Sequence, residues 1–240
     1  LYTIPEFVEK RYSTNLKSIL AVFWISIYVF INLTSVLYLG GLALETILGV
    51  DMFYAIIGLA LFSAAYSLYG GLSAVAWTDI IQVVFLVLGG LATTYLALNS
   101  VSGGEGFLAG LQHIFDTAPD HFDMILDKSN PEYVNLPGIG VLIGGMWVAN
   151  LYYWGFNQYI IQRTLAAKSL RESQKGILFA AGLKLIIPLV VVIPGIAAYV
   201  VVNDPQILAG LGEQGLANIP SSGASDKAYP WLMQFLPTGL

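Results

Sequence analysis

The residues with the most chemistry in this sequence stand where hydrocarbon is expected. Lys184 is the single charge in the run from Gly176 to Asn203, which is otherwise apolar. At 1.5 Å per residue it lies about 12 Å along that run, near the middle of a hydrocarbon layer about 30 Å thick. A central lysine costs about 2.5–3.5 kcal/mol on insertion scales, and its stem is too short to carry the ammonium back to water. The expected arrangement is an ammonium facing a polar cavity inside a helix bundle, where it donates hydrogen bonds to a ligand. A second set is Trp147, Asn150, Trp154, Asn157 and Ile161, spaced by three or four and so sharing one helix face, with Tyr153 three residues after Asn150. Amides beside aromatic rings suit a small hydroxylated ligand, the polar groups taking hydroxyls and a ring covering an apolar face. Asn157 suits equally the hydrogen bond that asparagine makes between membrane helices. The third set is Thr78, Asp79 and Gln82. Asp79 separates two uncharged runs, and its carboxylate either favours a helix start or attracts a hard cation such as Na⁺ on its way to the cytoplasm.

Other chemistries are poorly served. The sequence has no cysteine, so disulfides, thiolate zinc sites and cysteine nucleophiles are excluded. His113 and His121 are expected to be ordinary surface residues of an outer connection. No histidine–glutamate metal pattern, phosphate loop or credible Ser-His-Asp set is present, and an enzyme is not expected. The triplet Asn32-Leu33-Thr34 matches a glycosylation acceptor but falls within an expected membrane helix. Ten Lys+Arg against fifteen Asp+Glu, a net charge of −5, leave no basic face for nucleic acid.

These groups need elements to hold them at depth. With 57% hydrophobic and 10% charged residues and a mean hydropathy of +0.73, the composition is that of a membrane protein rather than a soluble domain. The fold expected is all-α, a polytopic helix bundle in a lipid bilayer, because a helix satisfies its backbone polar groups within the segment. Five transmembrane helices are expected near residues 18–48, 53–68, 74–99, 138–166 and 172–202, in one domain spanning 1–240. Outer loops are expected at 101–136 and 203–230. Phe107, Leu108, Leu111, Ile114 and Phe115 recur at helical spacing in the first of these and predict a short interfacial helix. Tyr229, Trp231 and Phe235 resemble an outer aromatic belt leading into a sixth helix. Gly138, Gly140, Gly144, Gly145 and Gly155, with Pro137 before them, fit either close helix packing or a broken helix. Both chain ends read as cut from something longer.

Charge sets the orientation. Lys10, Arg11, Lys17, Arg163, Lys168, Arg171 and Lys175 fall at two positions that share one side in a five-pass threading, which makes 1–17 and 163–175 cytoplasmic. The opposite side carries Glu45, Asp51, Glu105, Asp116, Asp120, Asp123, Asp127, Glu132, Asp204, Glu213 and Asp226 against only Lys128 and Lys227.

Three stretches then resemble a known family. They are Thr3-Ile4-Pro5-Glu6-Phe7-Val8-Glu9-Lys10-Arg11-Tyr12, the run from Tyr69 to Gln82 reading YGGLSAVAWTDIIQ, and Asn157-Gln158-Tyr159-Ile160-Ile161-Gln162-Arg163. The chain resembles the sodium:solute symporter family along nearly its whole length. The resemblance implies a ten-helix inverted-repeat core, of which this chain would hold the last three helices of one repeat and the first two of the next. The combination of Asn150, Tyr153 and Lys184 resembles sugar-transporting members, which implies galactose or glucose. Asn150 and Lys184 would then bond sugar hydroxyls, Tyr153 would stack on the ring as an inner gate with Trp154 in support, and Asp79 would assist Na⁺ toward the cytoplasm. The family's principal sodium site would lie on helices outside these residues. The implied activity is sodium-coupled symport by alternating access in a bacterial plasma membrane. A symporter for another solute such as proline, or a symporter-like sensor, stays open as an alternative.

Overall fold

The protein is described from a computed structural model that covers residues 2–134, 138–210, 219–220 and 225–235. Pro137 and Glu213, both used in the threading above, lie outside these residues. The described residues are helical throughout and contain no strand. The chain divides into two compact units, one formed by residues 1–32 and 120–184, the other by 33–119 and 185–240.

In the first unit, α1 (Ile4–Arg11) starts where the Thr3 hydroxyl accepts from the Glu6 N–H, and carries Pro5 in its first turn where no N–H is needed. The Lys10 ammonium, 2.7 Å from the Glu6 carboxylate, and the Tyr2 backbone N–H lower the Glu6 pKa to about 2. Helix α2 (Thr14–Ile27) is capped by Ser13 and passes into a π-wound segment, Tyr28–Leu33. The helix expected at 138–166 is not continuous. It comprises a π segment Val141–Gly145, α6 (Met146–Leu151), a second π segment Tyr152–Phe156, a break at Asn157, and α7 (Gln158–Leu165). The last helix of this unit is α8 (Leu170–Lys184).

The second unit holds α3 (Thr34–Leu48), α4 (Met52–Val101), α5 (Phe107–Thr117), α9 (Ile187–Asn203), α10 (Pro205–Gly210) and α11 (Ala228–Met233). Helix α4 has 50 residues, which at 1.5 Å each is about 75 Å, far more than a bilayer accommodates. It is interrupted inside the expected turn. Gly71 sits at φ 56°, ψ −152°, a conformation open essentially to glycine alone. The break leaves residues 52–70, about 28 Å of helix, before it. Beyond it α4 meets α9 closely enough that a Cβ at Gly90 would collide with Val190. Thr94 donates 2.8 Å bonds to the carbonyls of both Gly90 and Leu189, tying the two helices together. Around this seam Leu98, Ile114, Val190, Val200, Val201 and Trp231 are buried.

Helix α5 is the interfacial helix expected from the apolar spacing. Two expectations for this unit need correction. The stretch 203–230, expected as loop, contains α10 and α11 because Asp204 accepts from the N–H groups of Gln206 and Ile207 and starts a helix at Pro205. His113 is half-buried rather than an ordinary surface residue, and its Nε2 is enclosed without a partner among the described residues. It lines an open cleft of about 660 Å³ with Asn99, Ser102, Glu105, Asp204 and Gln206, none of them an expected site residue.

Three helical stretches are long and apolar enough to cross a membrane: Thr14–Leu48, Met52–Val101 and Leu170–Asn203. Large apolar side chains such as Phe62, Leu68 and Phe85 stand exposed on them, as a bundle in lipid requires. The Gly71 break carries a testable cost. Gly71→Ala is expected to destabilise the full-length protein by about 1–3 kcal/mol, whereas Gly58→Ala, at an open helical position, is expected to be neutral or stabilising by up to about 1 kcal/mol. Thermal unfolding in detergent measures both, and equal midpoints would remove the argument from φ.

Candidate functional site

The site is built where two helices break. Helix α8 ends at Lys184, and Leu185 and Ile186 form a turn before α9 begins. The cause is in the sequence: Pro188 has no N–H to give the carbonyl four residues back, which is that of Lys184, and its ring crowds that carbonyl. Lys184 therefore stands at a helix end, not within a continuous helix over 172–202 as expected.

The Lys184 ammonium lies 4.5 Å from the Trp154 ring centroid and 5.6 Å from that of Tyr153. The two rings meet edge to face, 5.2 Å apart at 83°. The face of an aromatic ring carries partial negative charge, so the ammonium is held there by about 0.5–2 kcal/mol, depending on how dry the surroundings are. Tyr153 and Trp154 belong to the π segment Tyr152–Phe156. One extra residue per turn rotates successive side chains away from the α-helical register, and such segments often mark functional sites. The structure thus brings together Lys184, Tyr153 and Trp154 of the expected set.

Asn150 lies one turn earlier on α6, exposed, and its amide Nδ2 donates to the Met146 carbonyl at 2.8 Å. Its donor is engaged on its own helix. Asn157 is placed differently. It is 6% exposed, adopts φ −74°, ψ 114°, and ends the π segment. Its Oδ1 accepts the Tyr159 N–H at 3.0 Å, capping α7, and the Tyr28 hydroxyl at 2.8 Å. Stranding either donor in so buried a place would cost about 1–3 kcal/mol. Trp24 stacks between Tyr28, at 5.3 Å, and Tyr152, at 5.2 Å and nearly parallel. Neither Tyr28 nor Trp24 was recognisable from spacing, since nothing local to α2 marks them. Gln158 adds an oxygen that accepts the Ile4 N–H at 2.8 Å, joining α1 to α7.

Asp79 belongs to the other unit. It is half-buried on α4, past the Gly71 break, while the neighbouring Thr78 hydroxyl donates to the Val75 carbonyl at 2.8 Å. Both lie within helix rather than at its start. Among the described residues no cluster of three or more His, Cys, Asp or Glu is arranged to hold a metal ion.

Long apolar helices, broken in the first unit where amides, aromatic rings and an ammonium collect, define a polytopic membrane protein with polar groups gathered at helix ends. All 240 residues match the sodium:solute symporter family, and the chain belongs to it. It is 69% identical over its whole length to a sodium/glucose cotransporter of Vibrio parahaemolyticus, covering 44% of that protein. It is 36% identical over 253 aligned residues to sodium/myo-inositol cotransporter 2 of Homo sapiens, with 99% of this chain and 37% of that one covered. An uncharacterized symporter of Escherichia coli (strain K12), YidK, is 35% identical over 212 residues, 84% of this chain and 36% of that one. The chain thus spans less than half the length of these relatives. Family membership favours a transporter over an enzyme.

The contact between Lys184 and Trp154 is measurable as a coupling. A double-mutant cycle of Lys184→Met and Trp154→Leu, read by thermal unfolding of the full-length protein, is expected to return about 0.5–2 kcal/mol of interaction. Strict additivity of the two changes would show that the ammonium does not rest on the ring.

Proposed function

We propose that the full-length protein couples Na⁺ entry to the uptake of a sugar, galactose or glucose, by alternating access in a bacterial plasma membrane. The observation that carries this reading is the ammonium of Lys184 held on two aromatic faces at a helix break, because those groups together supply what a pyranose needs. Lys184 leaves the rings to donate to hydroxyls, Asn150 turns its amide from the Met146 carbonyl to another hydroxyl, Tyr153 covers the apolar face of the sugar, and Trp154 supports Tyr153. Each donor is already provided for in the absence of sugar, so the site opens by exchanging partners rather than by exposing unpaired groups. Asp79 contributes a carboxylate on the route by which Na⁺ reaches the cytoplasm, while the principal sodium ligands belong to other parts of the protein.

The relatives support a ring-shaped polyol as the solute, since one is named for glucose and another for myo-inositol. In this reading residues 1–240 form part of one transmembrane domain, five spans of a ten-helix inverted repeat, with 1–17 and 163–175 on the cytoplasmic side. The breaks at Gly71, Asn157 and Pro188 suit such a core, where interrupted helices surround a midplane site.

The magnitudes are sufficient. A potential of about 100 mV contributes about 2.3 kcal/mol per Na⁺, and a tenfold Na⁺ gradient adds about 1.4 kcal/mol. One ion then supports a sugar gradient of roughly several hundredfold. In liposomes containing the full-length protein, an inward Na⁺ gradient is expected to drive galactose or glucose uptake. Lys184→Ala is expected to abolish that uptake while the protein remains inserted. Uptake equal to wild type would defeat the role given to Lys184, and competition by proline but not by sugars or myo-inositol would redirect the reading to another solute.

A further inference from the structure

We propose that Asn157 and Tyr28 form a latch that positions the aromatic gate segment Tyr152–Phe156, with Asn157 acting through a single oxygen. The inference rests on the transport reading for its kinetic consequence, but the latch itself rests on geometry alone. The gate segment is π-wound, and its backbone leaves helical geometry at Asn157. A segment released from the helix ladder at one end needs another anchor, or its side chains lose a defined direction. Two anchors are present, and both come from α2 and its continuation. The Trp24 ring lies flat against Tyr152 at the beginning of the gate segment. The Tyr28 hydroxyl reaches Asn157 at its end, and also lies 3.3 Å from the Tyr159 N–H. Tyr153 and Trp154, which carry the Lys184 ammonium, lie between the two anchors.

The donor and acceptor pattern makes the role of Asn157 specific. Both of its bonds, from Tyr28 and from Tyr159, end on Oδ1, which acts only as acceptor. A carboxylate supplies the same oxygen in the same place, whereas a leucine of similar size supplies none. A residue that bonded sugar through its amide would behave in the opposite way, because aspartate has no N–H to donate. Asn157 is therefore assigned as a positioning residue, and its substitution separates the two roles.

The test uses the full-length protein with Asn157→Asp, Asn157→Leu and Tyr28→Phe, in a background without other accessible cysteines and with a reporter, Gly155→Cys. This part of the chain contributes no cysteine, and Gly155 has open space for a side chain. Labelling of the reporter by a membrane-impermeant maleimide is measured without sugar or Na⁺, then Na⁺-driven sugar uptake is measured in variants without the reporter. Asn157→Asp is expected to label at the wild-type rate and to keep the sugar KM within twofold. Asn157→Leu is expected to change labelling at least fivefold and raise KM at least tenfold, with Tyr28→Phe shifting both in the same direction by less. Tyr28→Phe leaves the α7 cap in place and serves as the readable variant if Asn157→Leu fails to insert. Wild-type labelling in Tyr28→Phe, or Asn157→Asp as impaired as the leucine variant, overturns the latch. Labelling that follows the expected order with no sugar uptake by any variant, wild type included, upholds the latch and sinks the sugar reading instead.

Discussion

An ammonium resting on aromatic faces at the end of a membrane helix is the interaction on which this structure depends. In hydrocarbon a lysine needs partners, and the choice of partner decides whether it is a structural or a working group. A carboxylate would hold it in a tight ion pair and leave it little freedom to bind anything else. The rings of Trp154 and Tyr153 attract it more weakly and without directional hydrogen bonds. Its three donors stay available. The price of keeping a charge at depth is thus offset without spending the hydrogen bonds that make the charge useful.

The same economy of partners runs through the first unit. Wherever the helical ladder is interrupted, a side chain or a neighbouring helix takes up the freed group. Asn157 caps α7 through its own oxygen and collects the Tyr28 hydroxyl on the same atom. In the second unit Thr94 bonds across from α4 to the Leu189 carbonyl in α9. Breaks are tolerable in a bilayer only under this condition, which is why polar residues and helix discontinuities occur together. The consequence for function is that the irregular backbone is also the backbone that can change shape, since it is held by a few side-chain bonds rather than by a continuous ladder.

Gly71, Asn157 and Pro188 illustrate three kinds of break and three degrees of legibility. The pair Gly70-Gly71 marks a turn openly, and a turn was expected across it, because the alternative is a helix longer than the membrane is thick. Pro188 is equally visible. Its effect was missed because attention to the charge on Lys184 hid the arithmetic that sets a proline ring against the carbonyl four residues earlier. Asn157 could be read as glue or as ligand, and spacing alone did not choose between them, since both uses require an amide on the same helix face.

What the sequence determined by itself was everything that follows from local pattern: helices rather than strands, spans from uncharged length, the interfacial helix of α5, and a lysine too deep to be incidental. Residue types and periodicity suffice there, because hydrocarbon penalises each unsatisfied group independently of the rest of the fold. What only the tertiary structure decided was who meets whom. Tyr28 finds Asn157 across 129 positions of sequence, Trp24 finds Tyr152, and Lys184 finds Trp154. No periodicity encodes such meetings, because they depend on how whole helices pack, and packing is settled by many small contacts at once rather than by the identity of any one residue.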